Sequence, residues 1–337
     1  MRWRVVVVLN PVFLPLMPTN VPPATDHSAG PIGLLGLGLV GTALALRLKL
    51  RGFTVLGFDS SAAARVAFQA SGFQVADSIA QVAQNATCVL LAVFDSQGVL
   101  DVVEGPMGLV AGGWGENTDT NADSDAGKPP HMIIDCSTGS PELLAALAAR
   151  LQRLGIDFIE APLSGSSQQI ASGEATLLLG GETNAIERAH KVLDAIAPAR
   201  FHMGGAGMGA KAKLATNLVL GLNRAVLAEG MVFAKALGIE PARFLQLVQN
   251  SPARSGAAEA KGDLMVRTLS DSEVPVQSRI RQHLKDVDLM LSAARASNQG
   301  LPLSEAHAAL MREAVQAGDG DLDNAAIVRQ IMRKLAG

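Results

Sequence analysis

The sequence is poor in charged residues, and neither sign of charge dominates. Asp, Glu, Lys and Arg make up 18% of the 337 residues, and 28 Lys and Arg against 31 Asp and Glu leave a net charge of -3. Such a balance offers no broad cationic surface that could hold a phosphodiester backbone, so nucleic acid is not expected as a partner. A hydrophobic fraction of 48% predicts an ordinary globular protein, with length for about two domains.

Cysteine is also scarce, since the chain has only Cys88 and Cys136. Each lies in a short apolar run that predicts a buried strand, so we expect two reduced core thiols and a cytoplasmic protein. The six histidines are scattered, and none belongs to an H-E-x-x-H pattern. Because no histidines and cysteines are grouped at metal-ligand spacing, we expect no metal site.

The N-terminus lacks an uninterrupted hydrophobic run. Arg2 and Arg4 precede an apolar stretch, but Pro11 and Pro15 interrupt it, and it is shorter than the roughly 20 residues that span a bilayer. No clear small-x-small cleavage site follows. We therefore expect no membrane partner, and interpret residues 1–29 as a poorly ordered extension or the product of an upstream start codon rather than a targeting signal.

From Pro31 to Met203, short apolar runs alternate with amphipathic stretches at helical spacing. This alternation is typical of βαβ units and predicts an α/β domain with a parallel, Rossmann-type sheet. Ser140, Pro141 and Gly155 supply the N-cap, first-turn proline and terminal glycine of one helix. The predicted strands are 32–35, 54–58, 88–93, 132–135, 157–159, 175–179 and 200–203, and the best-marked helices are 39–50 and 141–154.

After Met203 the alternation stops and helical patterns take over. A long pattern over 209–237 precedes shorter ones near 241–249, 255–268, 279–297, 303–317 and 323–335. We therefore predict two domains, a dinucleotide-binding domain over 30–203 and an all-helical domain over 204–337, joined by the long helix. Segment 105–130 is rich in Gly, Asn and Asp and lacks periodicity. It is predicted to be a surface loop, more simply a tolerated insertion than a lid.

A glycine-rich turn follows the first predicted strand and opens the first predicted helix. Glycines at this spacing allow a tight turn, close approach of a pyrophosphate to backbone N–H groups, and close packing of helix on strand. Asp59 ends the next strand, where a carboxylate can accept hydrogen bonds from the adenosine ribose. Together these features predict a dinucleotide site. The residues of the turn are Gly36, Leu37, Gly38, Leu39, Val40 and Gly41.

Asp59 also bears on which dinucleotide binds. Its carboxylate repels the 2′-phosphate of NADP, and the next two residues, Ser60 and Ser61, are not arginines. Arg65 could reach a phosphate, but six residues on in a predicted helix we expect it to cover surface. We therefore predict NAD as the cofactor and NADP as the less favoured one.

Four further motifs appear in a fixed order and give the chain a family resemblance. With the glycine-rich turn they resemble the motifs of the β-hydroxyacid dehydrogenases, over roughly residues 31–335. The resemblance implies a Rossmann domain, a long interdomain helix and a helical C-terminal domain that commonly mediates oligomerisation, so a homodimer or homotetramer is expected. The four motifs occupy residues 134–138, 161–165, 207–209 with 213–217, and 284–286.

The resemblance implies roles for residues of the helical segments. Lys213 matches the family's acid/base lysine, and Asn217 matches the asparagine that orients the substrate. These two residues are four apart and project from one helix face, whereas Lys211 points elsewhere. Lys285, beside Asp286, matches a lysine that reaches the site between the domains to support substrate or cofactor. We predict that a desolvated cleft, the oxidised nicotinamide and Lys285 lower the pKa of Lys213.

Two loops complete the predicted site. Ser164 and Gly165 match the family's substrate-carboxylate motif, where a hydroxyl and backbone amides suit an anion. Ser166 stands where the family has a second glycine, which indicates a different preferred substrate. Ser137 and Thr138 follow a strand and are placed for the nicotinamide ribose or the substrate rim, although Thr138 could equally cap a turn.

These features predict an NAD-dependent oxidoreductase that transfers a hydride between the cofactor and a small β-hydroxy acid or its semialdehyde. One alternative is an NADP-dependent aldehyde reductase on the same fold. A second is a non-catalytic dinucleotide-binding scaffold, because a fold does not guarantee chemistry. Oxidative decarboxylation of a larger phosphorylated sugar acid ranks lower, since it needs a phosphate pocket and usually a longer chain.

Overall fold

A computed structural model describes residues 30–115 and 130–336. The predicted extension 1–29 and residues 116–129 of the predicted loop lie outside the described residues. The described beginning of that loop, 105–115, is a series of turns packed on the first domain. Trp114 holds it there, because its buried indole Nε1 donates to the Ala83 carbonyl at 3.0 Å.

The first domain is built on a six-stranded parallel sheet, which confirms the predicted fold class. Its strand order is β3-β2-β1-β4-β5-β6. The central strands are buried on both faces, as expected where helices cover a parallel sheet. The strands are β1 (Ile32–Leu35), β2 (Val55–Phe58), β3 (Gln74–Val75), β4 (Cys88–Leu91), β5 (Met132–Asp135) and β6 (Asp157–Glu160).

Eight helices and a small second sheet complete the described part of this domain. The second sheet has the order β7-β8-β9, with β7 antiparallel and β9 parallel to β8. Its strands are β7 (Leu163–Ser164), β8 (Thr176–Leu179) and β9 (Arg200–His202). The helices are α1 (Leu39–Leu50), α2 (Ala62–Ala70), α3 (Ile79–Asn85), α4 (Ser96–Glu104), α5 (Pro141–Gln152), α6 (Ser167–Ser172), α7 (Thr183–Arg188) and α8 (His190–Ile196).

Several predicted boundaries were wrong by one or two residues, for local reasons. The strand predicted over 88–93 ends at Leu91, because the Val93 N–H turns from the ladder to the Ser137 hydroxyl at 3.1 Å. Helix α5 begins as predicted, with Ser140 as its N-cap, but ends at Gln152 rather than at 154. The sequence reasoning missed β3 and β7, whose two-residue length carries no periodicity.

The second domain is a layered set of helices around α9, with an apolar core of its own. Its helices are α9 (Met208–Ala236), α10 (Pro241–Gln249), α11 (Gly256–Leu269), α12 (Ile280–Ala296), α13 (Pro302–Gln316) and α14 (Ile327–Ala336). The last helix begins four residues later than predicted. Asp323 accounts for this, because its carboxylate accepts from the backbone N–H groups of Gln277, Ser278 and Ala325 and fixes a 3₁₀ turn before α14.

Helix α9 has 29 residues, and its length and composition would also suit a membrane-crossing helix. In this fold it is the central helix of the second domain and contacts α10 to α14. The polar side chains of Lys213, Asn217 and Arg224 on this helix are buried.

Candidate active site

The glycine-rich turn lies between β1 and α1 at the carboxyl edge of the sheet. Gly36 has φ +96°, and a Cβ there would lie 2.4 Å from the Ala92 carbonyl oxygen. A Cβ on Gly41 would lie 1.9 Å from the Gly36 carbonyl oxygen, so this glycine lets the helix pack on the turn. By contrast, a Cβ on Gly38 would meet nothing within 4 Å. The turn therefore leaves open space at the α1 N-terminus, where a pyrophosphate fits.

Asp59 lies directly beside this turn. Its Oδ2 accepts from the Leu37 N–H at 2.8 Å, and its Oδ1 accepts from the Ser61 N–H at 2.8 Å. Arg65 is closer to this edge than the sequence suggested, because its guanidinium donates to the carbonyl oxygens of Asp59, at 2.6 Å, and Ser60. The carboxylate and the guanidinium thus flank the position predicted for the adenosine ribose.

Lys213 and Asn217 are buried on one face of α9, while Lys211 is exposed. Lys213 is 8% exposed, and its Nζ donates to the carbonyl oxygen of Leu163 on β7 at 2.5 Å. Asn217 donates from Nδ2 to Asp286 Oδ2 on α12 at 3.2 Å. The amine therefore faces the first domain, and the amide beside it is held by the second.

The electrostatic surroundings of Lys213 favour its neutral form more than water does. Burial lowers its pKa from the ordinary 10.5 to about 8. The carboxylate of Asp286 opposes this shift, and the ammonium of Lys285 adds to it. Two of the three causes predicted from the sequence, desolvation and Lys285, are therefore present.

Lys285 connects the two domains at this site. Its Nζ donates to the carbonyl oxygens of Phe94 and Thr138, each at 2.8 Å, and lies 3.1 Å from Asp286 Oδ1. Phe94 and Thr138 follow β4 and β5, so α12 is tied to the carboxyl edge of the sheet. Ser137 is buried, and its backbone N–H donates to Asp135 Oδ1 at 2.9 Å. The predicted residues of both domains thus meet along one edge.

The segment after β7 gives Ser166 a structural role. Its hydroxyl accepts from the Gln169 N–H, and the Gln169 Oε1 accepts from the Ser166 N–H at 2.8 Å, which forms a capping box at α6. The spacing S-x-x-Q was visible in the sequence and could have identified this cap. Ser164 is half-buried at the end of β7, and a Cβ on Gly165 would lie 2.9 Å from the Ala175 Cβ.

Sequence reasoning missed Glu160, which anchors the start of α9. Its buried carboxylate accepts hydrogen bonds from the Gly207 N–H and, at 2.8 Å, from the Ala210 N–H. A Cβ on Gly209 would lie 2.7 Å from the Leu178 carbonyl oxygen, so the helix start packs directly on the small sheet. Burial raises the pKa of Glu160, while these N–H groups oppose that rise. This contact fixes the start of α9 and thereby the position of Lys213 in the site.

Two family models match almost all of the described chain. The model described as the NAD binding domain of 6-phosphogluconate dehydrogenase matches residues 31–205, and that described as the NAD-binding of NADP-dependent 3-hydroxyisobutyrate dehydrogenase matches residues 207–331. The chain belongs to the β-hydroxyacid dehydrogenase family. Membership of this family makes it an oxidoreductase that acts on the CH–OH group of a hydroxy acid with a dinucleotide cofactor.

Relatives within the β-hydroxyacid dehydrogenase family align over nearly their whole length. The 2-(hydroxymethyl)glutarate dehydrogenase of Eubacterium barkeri is 29% identical over 298 residues, which are 88% of this chain and 93% of that protein. The 2-hydroxy-3-oxopropionate reductase of Escherichia coli is 26% identical over 300 residues, 89% of this chain and 96% of that protein. The solved 3-hydroxyisobutyrate dehydrogenase of Salmonella typhimurium is 25% identical with a TM-score of 0.74, covering 88% of this chain and 98% of that one.

Proposed function

We propose that this member of the family is an NAD-dependent dehydrogenase of a small β-hydroxy acid and, in reverse, a reductase of the semialdehyde. The observation that carries the proposal is Lys213, a buried amine four residues from Asn217 that contacts β7 across the junction of the two domains. A pKa of about 8 lets this amine take up and release a proton near neutral pH.

Lys213 is proposed to move the hydroxyl proton in both directions. When bound, the nicotinamide cofactor accepts a hydride from the substrate carbon in oxidation and returns it in reduction. In oxidation the neutral Lys213 amine takes the proton of the hydroxyl and becomes an ammonium as the C–OH group becomes a carbonyl. In reduction the ammonium gives that proton to the carbonyl oxygen. Asn217, held by Asp286, orients this oxygen.

The remaining predicted residues are proposed to hold the two ligands. The glycine-rich turn and Asp59 bind the pyrophosphate and adenosine ribose, since the turn is open at Gly38 and the carboxylate lies beside it. Ser137 and Thr138 lie at the nicotinamide end. Ser164 and the backbone at 165–166 bind the substrate carboxylate. Lys285 and Asp286 close the site from α12.

We expect a substrate assay to test this function directly. NADH formation at 340 nm would be followed with 3-hydroxyisobutyrate, L-threonate and 2-(hydroxymethyl)glutarate, and NADH consumption with 2-hydroxy-3-oxopropionate. These are compounds named in the relatives' functions. Turnover of at least one is expected. Tight cofactor binding with no turnover of any would favour the scaffold alternative.

The cofactor preference is expected to depend on Asp59. Wild-type kcat/KM should favour NAD over NADP by about tenfold or more, because the carboxylate repels the 2′-phosphate. Asp59→Asn keeps an oxygen for the Leu37 N–H but removes the charge, so the preference should shrink to a few-fold. Asp77→Asn, an exposed acid after the neighbouring strand β3, is the matched control. A wild-type preference for NADP would instead favour the aldehyde reductase alternative, in which Arg65 binds the phosphate.

A second copy of the chain is proposed to cover an apolar stripe on α9. Val219, Val226 and Phe233 recur every seven residues on that helix and are 56%, 68% and 62% exposed. Exposed apolar residues aligned along one helix face indicate an association surface. Light scattering should give a dimer or tetramer, and Val226→Asp with Phe233→Asp should give a smaller species. The same exchange at the exposed residue Lys235 is the control, and a monomeric wild-type protein would contradict the assignment.

Two further expectations concern the environment of the enzyme. The thiols of Cys88 and Cys136 are unpaired, which supports the proposed cytoplasmic location. In the ranges 30–115 and 130–336, no cluster of three or more His, Cys, Asp or Glu side chains could hold a metal ion. The proposed mechanism uses a lysine for the proton and the dinucleotide for the hydride.

A further inference from the structure

The face of α9 that carries Lys213 and Asn217 continues into the helical domain as a buried polar line. Gly221 and Arg224 follow Asn217 at spacings of four and three residues, so the four positions share one helix face. Arg224 is 5% exposed, although arginine is almost never buried without a partner. The line therefore brings a cation into the core directly behind the proposed site.

Three buried polar atoms on α9 and α12 have no hydrogen-bond partner among the described residues. They are Arg224 Nη2, His283 Nε2 and Asp286 Oδ1. Asp286 Oδ1 has the charge of Lys285 at 3.1 Å but accepts no hydrogen bond. A Cβ on Gly221 would lie 2.5 Å from His283 Nε2, so glycine at this position lets the His283 ring pack against α9. The charge of Asp286 acts on the pKa of Arg224, and the charge of Arg224 acts on the pKa of His283, so the three groups are neighbours. Buried polar atoms without a protein partner are normally satisfied by ordered water.

A second carboxylate near Arg224 already has its own cation. Both oxygens of Asp323 accept from Lys261 Nζ at 2.9 Å, and this ion pair is almost fully buried. The same carboxylate also accepts backbone N–H groups from two segments. Asp323 is thus paired and held without Arg224, although its charge acts on the pKa of Arg224 more strongly than the charge of Asp286 does. Arg224 Nη2 has no hydrogen-bond partner among the described residues and remains for the carboxylate of Asp286.

The two histidines beside Arg224 do not compete with it as cations for the carboxylate of Asp286. Burial lowers the pKa of His307 to about 4 and that of His283 well below its ordinary value, and Arg224 lowers both further. Their rings lie 5.5 Å apart and are neutral near neutral pH. Burial lowers the pKa of Arg224 to about 10, and the charges of Asp323 and Asp286 oppose that shift, so the guanidinium remains a cation.

We propose that Arg224 is a positioning residue, and that a buried water between Arg224 Nη2, His283 Nε2 and Asp286 Oδ1 links its charge to the carboxylate that holds Asn217. Arg224 touches neither substrate nor cofactor in this scheme. It fixes Asp286, which orients the Asn217 amide at the reacting oxygen. The inference rests on the proposed function of Lys213 and Asn217.

Kinetics of Arg224→Met test the positioning role. We expect kcat for hydroxy-acid oxidation to fall about 10- to 100-fold, the usual loss for a hydrogen-bonded charge, while the KM for the cofactor stays within about twofold. Arg224→Lys should recover part of the loss because it keeps the cation. Lys261→Met removes the other buried cation of the same core, and should lower the melting temperature without a comparable fall in kcat. Equal losses of kcat in Lys261→Met and Arg224→Met would overturn the proposal, as would a folded Arg224→Met with wild-type kcat.

A purely structural role for Arg224 would leave the pH dependence of oxidation unchanged, so this pH dependence tests the positioning role. In Arg224→Met the positive charge beside Asp286 is lost, so the negative charge of Asp286 stabilises the Lys213 ammonium more strongly. The pKa that controls oxidation should therefore rise above about 8. The charged and titratable groups that face this region are Lys285 and His283 on α12, His307 on α13, Lys261 on α11, and Asp323. An unchanged profile in Arg224→Met would count against the scheme.

Crystal structures separate this inference from the proposed function. In the wild-type protein we expect a water within hydrogen-bond distance of all three atoms, and in Arg224→Met a loosened Asn217–Asp286 contact. A dry core in the wild type, or an unchanged contact in the variant, would overturn the positioning role. If the wild type oxidises no hydroxy acid with either cofactor, the proposed function fails, but these structures still decide whether Arg224 positions Asn217.

Discussion

Replacing Lys213 with methionine should lower kcat for hydroxy-acid oxidation by roughly 10²- to 10⁴-fold, the usual contribution of a positioned acid/base group. Methionine keeps the length of the side chain and removes only the amine. The buried site therefore loses its proton acceptor without gaining an uncompensated charge. Steady-state NADH formation measures the effect, and cofactor affinity from fluorescence quenching should be almost unchanged.

The neighbouring lysine provides the matched control for this prediction. Lys211 precedes Lys213 by two residues on α9 and is exposed, so Lys211→Met should leave kcat within about twofold. A loss of only a few-fold in Lys213→Met, or similar losses in both variants, would show that the reaction does not use this amine. Lys213→Arg should also be nearly inactive, because a guanidinium stays protonated at the pH of the reaction.

Glu160→Ala should lower the free energy of unfolding by roughly 3–5 kcal/mol. The buried carboxylate accepts from the backbone N–H groups of Gly207 and Ala210 at the start of α9, and its removal leaves those donors unpaired beside a cavity. Urea denaturation measures the change. Glu160→Gln keeps one carbonyl acceptor and should lose less than Glu160→Ala.

A second acidic residue at a helix start serves as the control for Glu160. Glu182 precedes α7, is exposed and makes no side-chain capping bond, so Glu182→Ala should change the free energy of unfolding by less than about 0.5 kcal/mol. If Glu160→Ala also loses less than about 1 kcal/mol, then the carboxylate does not anchor the interdomain helix. In the proposed enzyme, the anchored α9 is what places Lys213 against β7.

The parts of the fold that repeat locally were predictable from the sequence. The alternation of apolar runs and helical stretches identified seven of the nine described strands within two residues at each end, and the whole of α1, because periodicity and glycine punctuation are local signals. The spacing of Lys213 and Asn217 placed both on one helix face for the same reason. Their burial was expected only from the family resemblance.

The rest of the site depends on contacts between distant segments. Glu160 is the last residue of a strand whose pattern is otherwise ordinary, and only the packing of β6 against the start of α9 gives its carboxylate three nearby N–H groups. Arg224 resembles a surface arginine in a long helical pattern, but the fold buries it. Arg65 was expected on the surface, yet its guanidinium folds back onto the Asp59 carbonyl. Local periodicity in the sequence carries no information about contacts between distant segments, or about a side chain that folds back onto its own backbone.

The pH dependence of the rate is the most direct test of the central claim that Lys213 moves the proton. NADH absorbance would follow kcat/KM in both directions from pH 6 to 11, a range that brackets a pKa of about 8 and the ordinary lysine pKa of 10.5. Because the neutral amine accepts the proton, oxidation should rise with pH through a pKa of about 8. Reduction should fall through the same pKa. A controlling group with a pKa near 10.5, or a profile in Lys213→Met identical to the wild type, would contradict the account.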